Sequence, residues 1–310
     1  MKIRLGYVAI ATSLPDKTTS RTMTLTNYKK LGDKRALDKL IKITENNLDD
    51  LLEILKYNAK NGIFFYRMSS NLFPLVDVIK FDMLNYFKDK LKNIGLFAKE
   101  NNIRLSMHLD HFYVLNSIRE EVVVSTTNIL KIYKNIFKIM NISGTIVLHV
   151  GSKTFGKKEG MKRFCENFLK LDNETRRLLI LENDDKVYNV KNILSICHKL
   201  NIPMVLDYHH FMCNKTNEKI EEYIIKIFNT WKTKPKVHFS SPESKKNYRA
   251  HHDYIDVKMF LSFIEKIKFC NIDFDIMIEA KAKDEALFRL VRQLKYMTDY
   301  KFINETVFEV

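Results

Sequence analysis

Short apolar runs alternate with longer amphipathic stretches along the whole chain. Eight runs rich in β-branched and aromatic residues have the character of strands: IRLGYVAI, FFYRMSS, RLSMHLD, GTIVLHV, LLILEND, PMVLDYHH, PKVHFSS and FDIMIEAK. Between them, apolar residues recur every three or four positions. This spacing predicts helices over Leu48–Lys60, Val76–Glu100, Glu120–Met140, Met161–Leu171, Val190–Leu200, Glu218–Trp231, Tyr254–Lys268 and Glu285–Met297, the last with Asp284 as N-cap.

Eight strands that alternate with eight helices predict a parallel sheet, because parallel neighbours need crossover connections. Eight such units indicate an α/β fold, a closed (β/α)8 TIM barrel that takes up residues 1–310 as a single domain. An open doubly wound sheet is the alternative. The absence of a glycine-rich phosphate loop after any strand argues weakly against it.

The charge balance adds a class of partner to this fold. The chain has 52 Lys and Arg against 37 Asp and Glu, a formal net charge of +15. Such an excess favours polyanions such as nucleic acid, through steering and counterion release. An AT-rich genome would also enrich Lys, Ile and Asn without any such ligand, so the charge alone does not decide the partner.

Cysteine usage and hydropathy bear on the compartment. Cys165, Cys197, Cys213 and Cys270 are widely spaced and include no C-x-x-C pair, which fits a reducing cytoplasm better than a disulfide framework. The first residues superficially resemble a signal peptide but lack a long apolar region, so we interpret them as the first strand. No window approaches a transmembrane helix.

Most of the predicted strands end in side chains that bind metals or anions. The ends carry His108 with Asp110, His149, Glu182 with Asn183 and Asp184, Asp207 with His210, Lys236 with His238, and Glu279 with Lys281. In a TIM barrel these ends gather on one face, where the chemistry takes place. Each residue alone has a structural explanation as a core histidine or a helix cap. Together, several buried carboxylates need cations, which predicts a metal cluster.

The mixture of imidazole and carboxylate suits Zn²⁺, Mn²⁺ or Fe²⁺ better than Mg²⁺ or Ca²⁺. A cluster of such ions can polarise a phosphoryl group, activate water and stabilise a leaving alkoxide. Phosphodiester hydrolysis is therefore the natural prediction for a basic protein. Metal-dependent sugar isomerisation or epimerisation on the same barrel is the alternative, and it does not require a basic surface.

Several strings of the sequence resemble the UV damage endonuclease family. They are LGYV, NGIFFYRMSSNLFPL, LHVG, LENDDKVY, DYHHF, PKVHFSSP, RAHHDYID and MIEAKAKDEALFRL, which extend in this order from about Leu5 to about Leu290. The resemblance implies a barrel related to endonuclease IV, with up to three divalent metal ions. Manganese is usual in the family, and zinc or magnesium remain open. The implied activity is nicking of damaged double-stranded DNA immediately 5′ to ultraviolet photoproducts, and in some members abasic sites, to start excision repair.

The resemblance also assigns roles, residue by residue. Glu182 would bridge two ions, of which His108 and His149 would hold the first. The second would be completed by Asp207, His238 and Glu279, and the third held by His210 and His251. We expect Glu182, Glu279 and Lys236 to be catalytic, with metal-activated water attacking the phosphorus in line to leave a 3′-hydroxyl and a 5′-phosphate. Lys236 would be neutral or carbamylated, or would instead contact a phosphate.

The remaining residues of interest are candidates for DNA contact or for support of the ligands. An aromatic ring can stack on an exposed base and an arginine can bind phosphate, although an internal ion pair explains Arg67 equally well. The candidates for DNA contact are Tyr7, Arg67, Ser69, Ser70, His111, Phe112 and Lys281. Asn183, Asp184 and Asp185 could orient ligands through hydrogen bonds, although Asp185 could instead cap the next helix. Of Asp207, His209 and His210, we expect His209 to tolerate substitution best.

One segment departs from the family. After the third strand the family usually has a His-Pro-x-Gln segment followed by an aromatic, whereas this chain has HLDHF, with Leu109 for Pro and His111 for Gln. A small polar residue is also expected near Ile10. His111 can still hydrogen-bond an extruded base and Phe112 can still stack. Abasic sites or other distorted DNA are therefore alternatives to photodimers as the preferred lesion. A noncatalytic binder of distorted DNA is a further alternative for the function.

Overall fold

A computed structural model describes residues 1–310 and contains a closed barrel of parallel strands surrounded by helices. The strands, in chain order, are β1 Lys2–Val8, β2 Phe65–Arg67, β3 Arg104–His108, β4 Thr145–Leu148, β5 Leu179–Glu182, β6 Met204–Asp207, β7 Lys236–Phe239, β8 Phe274–Ile278, β9 Lys301–Phe302 and β10 Val307–Glu309. Strands β1 to β8 pair in sequence order, and β1 closes the ring by pairing in parallel with both β8 and β2. The predicted TIM barrel is confirmed, and the open sheet is excluded.

The helices lie between the strands. They are α1 Leu25–Leu31, α2 Asp33–Lys60, α3 Met83–Tyr86, α4 Lys88–Glu100, α5 Glu120–Met140, α6 Lys157–Leu169, α7 Asn173–Leu178, α8 Val190–Leu200, α9 Tyr208–Asn214, α10 Ile224–Phe228, α11 Val257–Ile267 and α12 Lys283–Met297. Short 3₁₀ turns occur at Ser70–Leu72, Ile220–Glu222 and Lys268–Cys270. None of these helices has the length and apolar composition needed to cross a bilayer.

The strands read as continuous apolar runs because both of their faces are covered. All residues of β5, β6, β7 and β8 are buried, as expected for strands enclosed between a barrel interior and surrounding helices. One continuous apolar core contains 75 buried residues, and the other two buried clusters contain only four and three. The single domain over residues 1–310 stays a prediction.

A short hairpin covers the seam where the ring closes. Strand β1 pairs with β2 only at Tyr7 and Val8, which leaves its amino-terminal half unpaired on that side. Strand β10 pairs antiparallel with Lys2–Arg4, and β9 pairs with β10. The exposed edge is thereby hydrogen-bonded.

Several helix boundaries and one cap differ from the sequence predictions. The helix predicted over Leu48–Lys60 begins at Asp33, the first residue of α2, instead of at Leu48. The predicted helix Val76–Glu100 is wrong in its first part, because Asp82 caps a new helix by accepting a hydrogen bond from the Asn85 N–H. The predicted helix Glu218–Trp231 is divided into a 3₁₀ turn and the five residues of α10. Asp284 is not an N-cap: it is buried in the first turn of α12 and accepts hydrogen bonds from Thr12 and Tyr57.

Candidate metal centre

The carboxyl ends of β3 to β8 bring histidines and carboxylates to one end of the barrel, as predicted. Two groups could each hold a metal ion: His108, His149 and Glu182, and Glu182, Asp207 and His238. Within each group the candidate ligand atoms lie within 4.8 Å of one another. Glu182 belongs to both, which is the bridging position that the family resemblance implies.

In the first group, hydrogen bonding fixes the orientation of His108. Its Nδ1 lies 2.6 Å from the carbonyl oxygen of Leu109, and its Nε2 lies 2.9 Å from Glu182 Oε2. A carbonyl can only accept, so Nδ1 carries the proton and Nε2 faces the carboxylate. His149 presents its Nε2 to the same oxygen at 3.7 Å. Burial lowers the pKa of His149 to about 3, so this side chain is a neutral imidazole with a lone pair to share.

In the second group, buried polar atoms lack partners. Asp207 is fully buried, and its Oδ1 accepts a hydrogen bond from the His210 N–H at 2.7 Å, but its Oδ2 has no partner. His238 places Nδ1 3.0 Å from Glu182 Oε1, whereas its buried Nε2 has no partner. An unpaired buried polar atom costs about 1–3 kcal/mol. Such atoms therefore fit a site for a cation.

The protonation states of the carboxylates follow from their surroundings. Burial alone would raise the pKa of Glu182, but the adjacent His238, His149 and His108 lower it well below its usual value. Burial raises the pKa of Asp207 well above its usual range, and Glu182 and Glu279 add to the effect. Divalent ions would relieve the repulsion between these carboxylates. The charges of the residues therefore also fit metal ions.

His210 and His251 lie beside these two groups and do not form a third complete one. Their ring centroids are 6.4 Å apart. The Nδ1 of His210 donates to the Asn183 carbonyl oxygen at 3.0 Å. Burial alone would lower the pKa of His210, but Asp207 and Glu182 raise it to about 9, so a metal ion would have to displace the proton on Nε2. Asn183 also joins β5 to β6, because its side chain exchanges two hydrogen bonds of 2.9 Å with the backbone of Asp207. The support predicted for Asn183 is thus visible, whereas the third metal remains a prediction.

Glu279 reaches the cluster from β8 but is already paired. Its Oε1 lies 3.1 Å from His238 Nδ1 and accepts a short hydrogen bond from Arg67 Nη1. Burial would raise the pKa of Glu279, but Arg67 and His238 lower it below the usual range, so it is ionised. Of the two interpretations of Arg67, the structure shows the internal ion pair. The ligand role of Glu279 remains a prediction.

Lys236 is fully buried inside the barrel, which contradicts its alternative role as a phosphate contact. Its Nζ has one hydrogen-bond partner, Thr145 Oγ1 at 3.5 Å. Burial lowers the pKa of Lys236 well below its usual value, and the nearby Arg104 and Arg67 lower it further. A neutral amine is therefore the form that this environment favours.

His209 is more constrained than the sequence suggests. It is fully buried, its Nε2 lies 2.7 Å from the carbonyl oxygen of Tyr248, and the Ser240 hydroxyl lies 2.8 Å from its Nδ1. Because the carbonyl can only accept, Nε2–H donates to Tyr248 and Nδ1 accepts from Ser240. These bonds tie α9 to the segment that carries His251. These bonds argue against the expectation that His209 tolerates substitution best.

Three residues predicted to contact DNA have internal partners. Tyr7 is fully buried, and its hydroxyl donates to Asn58 Oδ1 at 2.7 Å, so the prediction that it stacks on a base is wrong. Ser69 is also buried and lies 2.8 Å from the Ser20 hydroxyl. Lys281 is half exposed but forms an ion pair of 2.5 Å with Glu243.

Two other residues with predicted roles lie near the mouth of the barrel. Ser70 is partly buried and donates to Asp110 Oδ1 at 3.0 Å, so this carboxylate supports a loop rather than the cluster. Asp185 does not cap the helix that follows it, because Asn189 caps α8 through a capping box.

His111 and Phe112 are exposed to solvent near the cluster, and their contact with DNA remains a prediction. His111 is exposed and stacks against His149 with 5.5 Å between ring centroids, and Phe112 is 66% exposed. Both line a groove of about 880 Å³ that His149, His210 and His251 border from the cluster side. Access to the cluster is therefore through this groove.

Sequence analysis missed three cations that line the groove, namely Arg119, Lys186 and Arg249. Their side chains are 56% to 69% exposed. The groove also contains Asp184, which accepts hydrogen bonds from the backbone N–H groups of residues 186–188, and Asp185, which pairs with Arg249 at 3.3 Å. The position of Arg249 two residues before His251 was a signal that could have identified it.

Comparisons with known proteins agree with this geometry. The sequence profile of the family described as UV-endonuclease UvdE matches residues 3–309. The UV DNA damage endonuclease of Bacillus mycoides (strain KBAB4) is 39% identical over 316 residues, which cover 100% of both chains. The crystal structure of SacUVDE has a TM-score of 0.86 and 36% identity, and the alignment covers 95% of this chain and 99% of that one.

A more distant structure shares the fold alone. Endonuclease IV from Thermus thermophilus has a TM-score of 0.55 at 12% identity, over 94% of this chain and 98% of that one. Barrel architecture therefore extends beyond sequence similarity, and the family rests on the profile and the full-length relatives. The protein is a DNA repair endonuclease, and the chain belongs to the UV-endonuclease UvdE family.

Proposed function

We propose that this endonuclease hydrolyses the phosphodiester bond immediately 5′ to ultraviolet photoproducts, and at abasic sites as well, leaving a 3′-hydroxyl and a 5′-phosphate. The observation that carries the proposal is the buried carboxylate Glu182, which is shared by two groups of candidate ligands at the end of a groove open to solvent. The full-length relatives are UV DNA damage endonucleases, which is why we propose damaged DNA as the substrate class.

Two groups of residues would hold divalent ions, of which manganese is our proposal. They are His108, His149 and Glu182, and Glu182, Asp207 and His238, with Glu279, His210 and His251 as additional ligands. When bound, such ions lower the pKa of water, polarise the phosphate and stabilise the leaving oxygen. The tautomer of His108, fixed by the Leu109 carbonyl, presents Nε2 to Glu182 without reorganisation, whereas His210 presents Nδ1, which lies 3.6 Å from Glu182 Oε1.

The protein's own cations would position the substrate. Arg119, Lys186 and Arg249 line the groove with exposed side chains, so they can contact phosphates on either side of the scissile bond. Phe112 would stack on an extruded base and His111 would hydrogen-bond it. Because His111 stacks on His149, a base bound there would lie next to the cluster.

Lys236 would act from inside the barrel. We propose that it is neutral or carbamylated, since its burial and the adjacent arginines oppose an ammonium ion.

The four free cysteines accord with a cytoplasmic location, which we also propose.

Nicking of end-labelled duplexes in the presence of Mn²⁺ tests this function. The substrates carry a thymine photodimer, an abasic site or no lesion, and the products are mapped on a sequencing gel. We expect cuts 5′ to the lesions, and Glu182→Gln should lower the rate by about 100-fold or more because a bridging ligand is lost. Glu166→Gln is the matched control, since Glu166 is an exposed residue of α6.

Two results would contradict the proposal. One is protein loaded with metal that cuts none of these duplexes yet converts a sugar, which would indicate an epimerase on the same fold. The other is cutting at equal rates with and without a lesion, which would leave an endonuclease without damage specificity.

A further inference from the structure

The loop between β4 and α6 presents an aromatic side chain to solvent. Phe155 is 77% exposed and has a left-handed backbone, with φ of 62°. Burying a phenylalanine side chain would stabilise the folded protein by about 1.5–3 kcal/mol. A left-handed backbone destabilises a residue that has a Cβ atom by about 1–2 kcal/mol. Both effects oppose the observed conformation, so the rest of the loop must impose it.

Hydrogen bonds hold the loop from several directions. The carbonyl oxygen of Ser152 accepts from Asn116 Nδ2 at 2.6 Å and from the Tyr188 hydroxyl at 2.8 Å. The carbonyl oxygen of Thr154 accepts from Arg163 Nη2 at 2.7 Å. At Gly151, φ is 110° and an added Cβ would lie 2.4 Å from Asn116 Oδ1, so only glycine fits there. The loop is thus a rigid support for Phe155.

The loop is also basic. Lys153, Lys157 and Lys158 flank Phe155, all three are exposed, and none forms an ion pair. The pair of Lys162 with Glu166, one helical turn later, shows that paired lysines do occur in this helix. An exposed aromatic ring among unpaired lysines matches the surface that binds a nucleic acid strand, where rings stack on bases and cations contact phosphates.

The position of the loop connects it with the catalytic groove. Phe155 follows His149 by six positions, and Ser152 and Thr154 line the same groove as Phe112. A strand whose phosphate reached the cluster and whose base met Phe112 could extend along the groove to this loop. Phe155 directly follows Thr154, the last groove-lining residue of this loop, so it would then provide a second aromatic contact just beyond the groove.

We propose that Phe155 stacks on an unpaired base of the damaged duplex and that Lys153 contacts the adjacent phosphate. The proposal rests on the proposed function in one respect, that DNA is the ligand of the groove. It assigns to the β4–α6 loop a role in distinguishing distorted from regular DNA, because a base within a regular duplex has no free face for the ring.

Binding without metal separates this proposal from catalysis. The probe is a fluorescein-labelled duplex with one tetrahydrofuran abasic analogue, titrated in EDTA and compared with the undamaged duplex. Phe155→Ala should weaken binding of the damaged duplex roughly tenfold and leave the undamaged duplex within about twofold. Phe155→Tyr should restore binding, whereas Phe155→Leu should not. Phe269→Ala is the control, since Phe269 is 55% exposed and precedes β8, at the opposite end of the barrel.

A tryptophan reports stacking directly. The chain has one tryptophan, the largely buried Trp231, so Phe155→Trp adds an exposed fluorophore over a low background. Its emission should be quenched by the damaged duplex and not by the regular one, whereas Phe269→Trp should respond to neither. Lys153→Gln should reduce the salt dependence of binding, and Lys232→Gln, an exposed lysine before β7, should not.

The outcomes are separate from those of the nicking assay. Unchanged binding by Phe155→Ala, or full rescue by Phe155→Leu, overturns the stacking proposal even if the enzyme nicks lesions. Selective loss of damaged-duplex binding supports it even if the enzyme fails to cut 5′ to photodimers.

Discussion

Both ends of the barrel interior bury an aspartate, Asp275 at the amino end and Asp207 at the carboxyl end, and the two differ in their partners. At the amino end, the fully buried Asp275 accepts two hydrogen bonds from Arg4, at 2.8 and 2.7 Å, and one from Arg104 at 2.7 Å. Arg104 also donates to the Lys234 carbonyl oxygen and lies over the rings of Phe65 and Trp231. Each charge there has a partner.

At the carboxyl end, the equally buried Asp207 has no cation beside it other than histidine, and its Oδ2 has no partner. His238 Nε2 and His149 Nδ1 are also buried without partners. The difference distinguishes two uses of a buried charge. A buried network in which every polar atom has a hydrogen-bond partner stabilises the fold. A buried network with unpaired polar atoms is suited to bind a ligand such as a metal ion.

The largest expected effect compares the two buried aspartates in metal-free protein. Asp275→Asn removes the charge that Arg4 and Arg104 share and should cost about 3–5 kcal/mol in the free energy of unfolding. Asp207→Asn keeps the acceptor for the His210 N–H and removes an unpaired carboxylate, so it should change stability by less than about 1 kcal/mol or increase it. Urea unfolding in EDTA at pH 7, followed by circular dichroism, measures both. Equal losses would abolish the distinction between the two ends.

Addition of a metal ion should stabilise the protein through the carboxyl end of the barrel only. A ligand that binds the folded state alone stabilises it by about 2.7 kcal/mol at 100 times its Kd. We expect Mn²⁺ to raise the Tm of the wild type, measured by calorimetry, and to raise that of Asp275→Asn by a similar free energy. Asp207→Asn should lose most of this gain. A full gain in Asp207→Asn would show that the ion binds elsewhere.

His209 lies beside the unsatisfied end but has both ring nitrogens bonded, so it should behave like a structural residue. His209→Ala should lower the free energy of unfolding by about 2 kcal/mol at pH 8, since it leaves the Tyr248 carbonyl and the Ser240 hydroxyl without their partner. Ser240→Ala, which removes one of the two bonds, should cost about half as much. A loss below about 0.5 kcal/mol for His209→Ala would support the original expectation of tolerance.

The smallest effect concerns a satisfied carboxylate at the amino side. Asp172 caps α7, just before β5, by accepting from the Thr175 N–H at 2.8 Å. This bond lowers the pKa of Asp172 to about 2, against about 3.9 in an unfolded chain. The stabilisation is therefore present above pH 4 and lost as the pH falls through 2. Asp172→Ala should cost about 1 kcal/mol at pH 7 and progressively less below pH 4, as measured by urea unfolding at each pH. A loss independent of pH would contradict the charged cap.

Local pattern was sufficient for most of the barrel. The apolar runs predicted all eight barrel strands, and two predicted helices, Glu120–Met140 and Val190–Leu200, have the bounds of α5 and α8. Glycine-free amphipathic stretches with clear ends set these bounds without help from distant residues. The helix predicted over Val76–Glu100 failed because periodicity does not show where a capping aspartate restarts the helix.

The candidate ligands were also accessible from the sequence, because each follows an apolar run and parallel strands end on one face. Residues His108, His149, Glu182, Asp207 and His238 converge as that rule requires. What the sequence could not supply was the partner of each polar atom. Arg67 pairs with Glu279, 212 residues away, and Tyr7 donates to Asn58 of the surrounding helix α2.

The sequence by itself therefore determined the alternation of strands and helices, the face on which the chemistry lies and the types of residue that meet there, because these follow from local periodicity and strand direction. Only the tertiary structure decided which of those residues are satisfied. Burial and hydrogen-bond pairing depend on neighbours distant in the chain: they place Tyr7 and Lys236 out of reach of DNA, fix His209 as support, and leave Asp207 and His238 with atoms available to a metal.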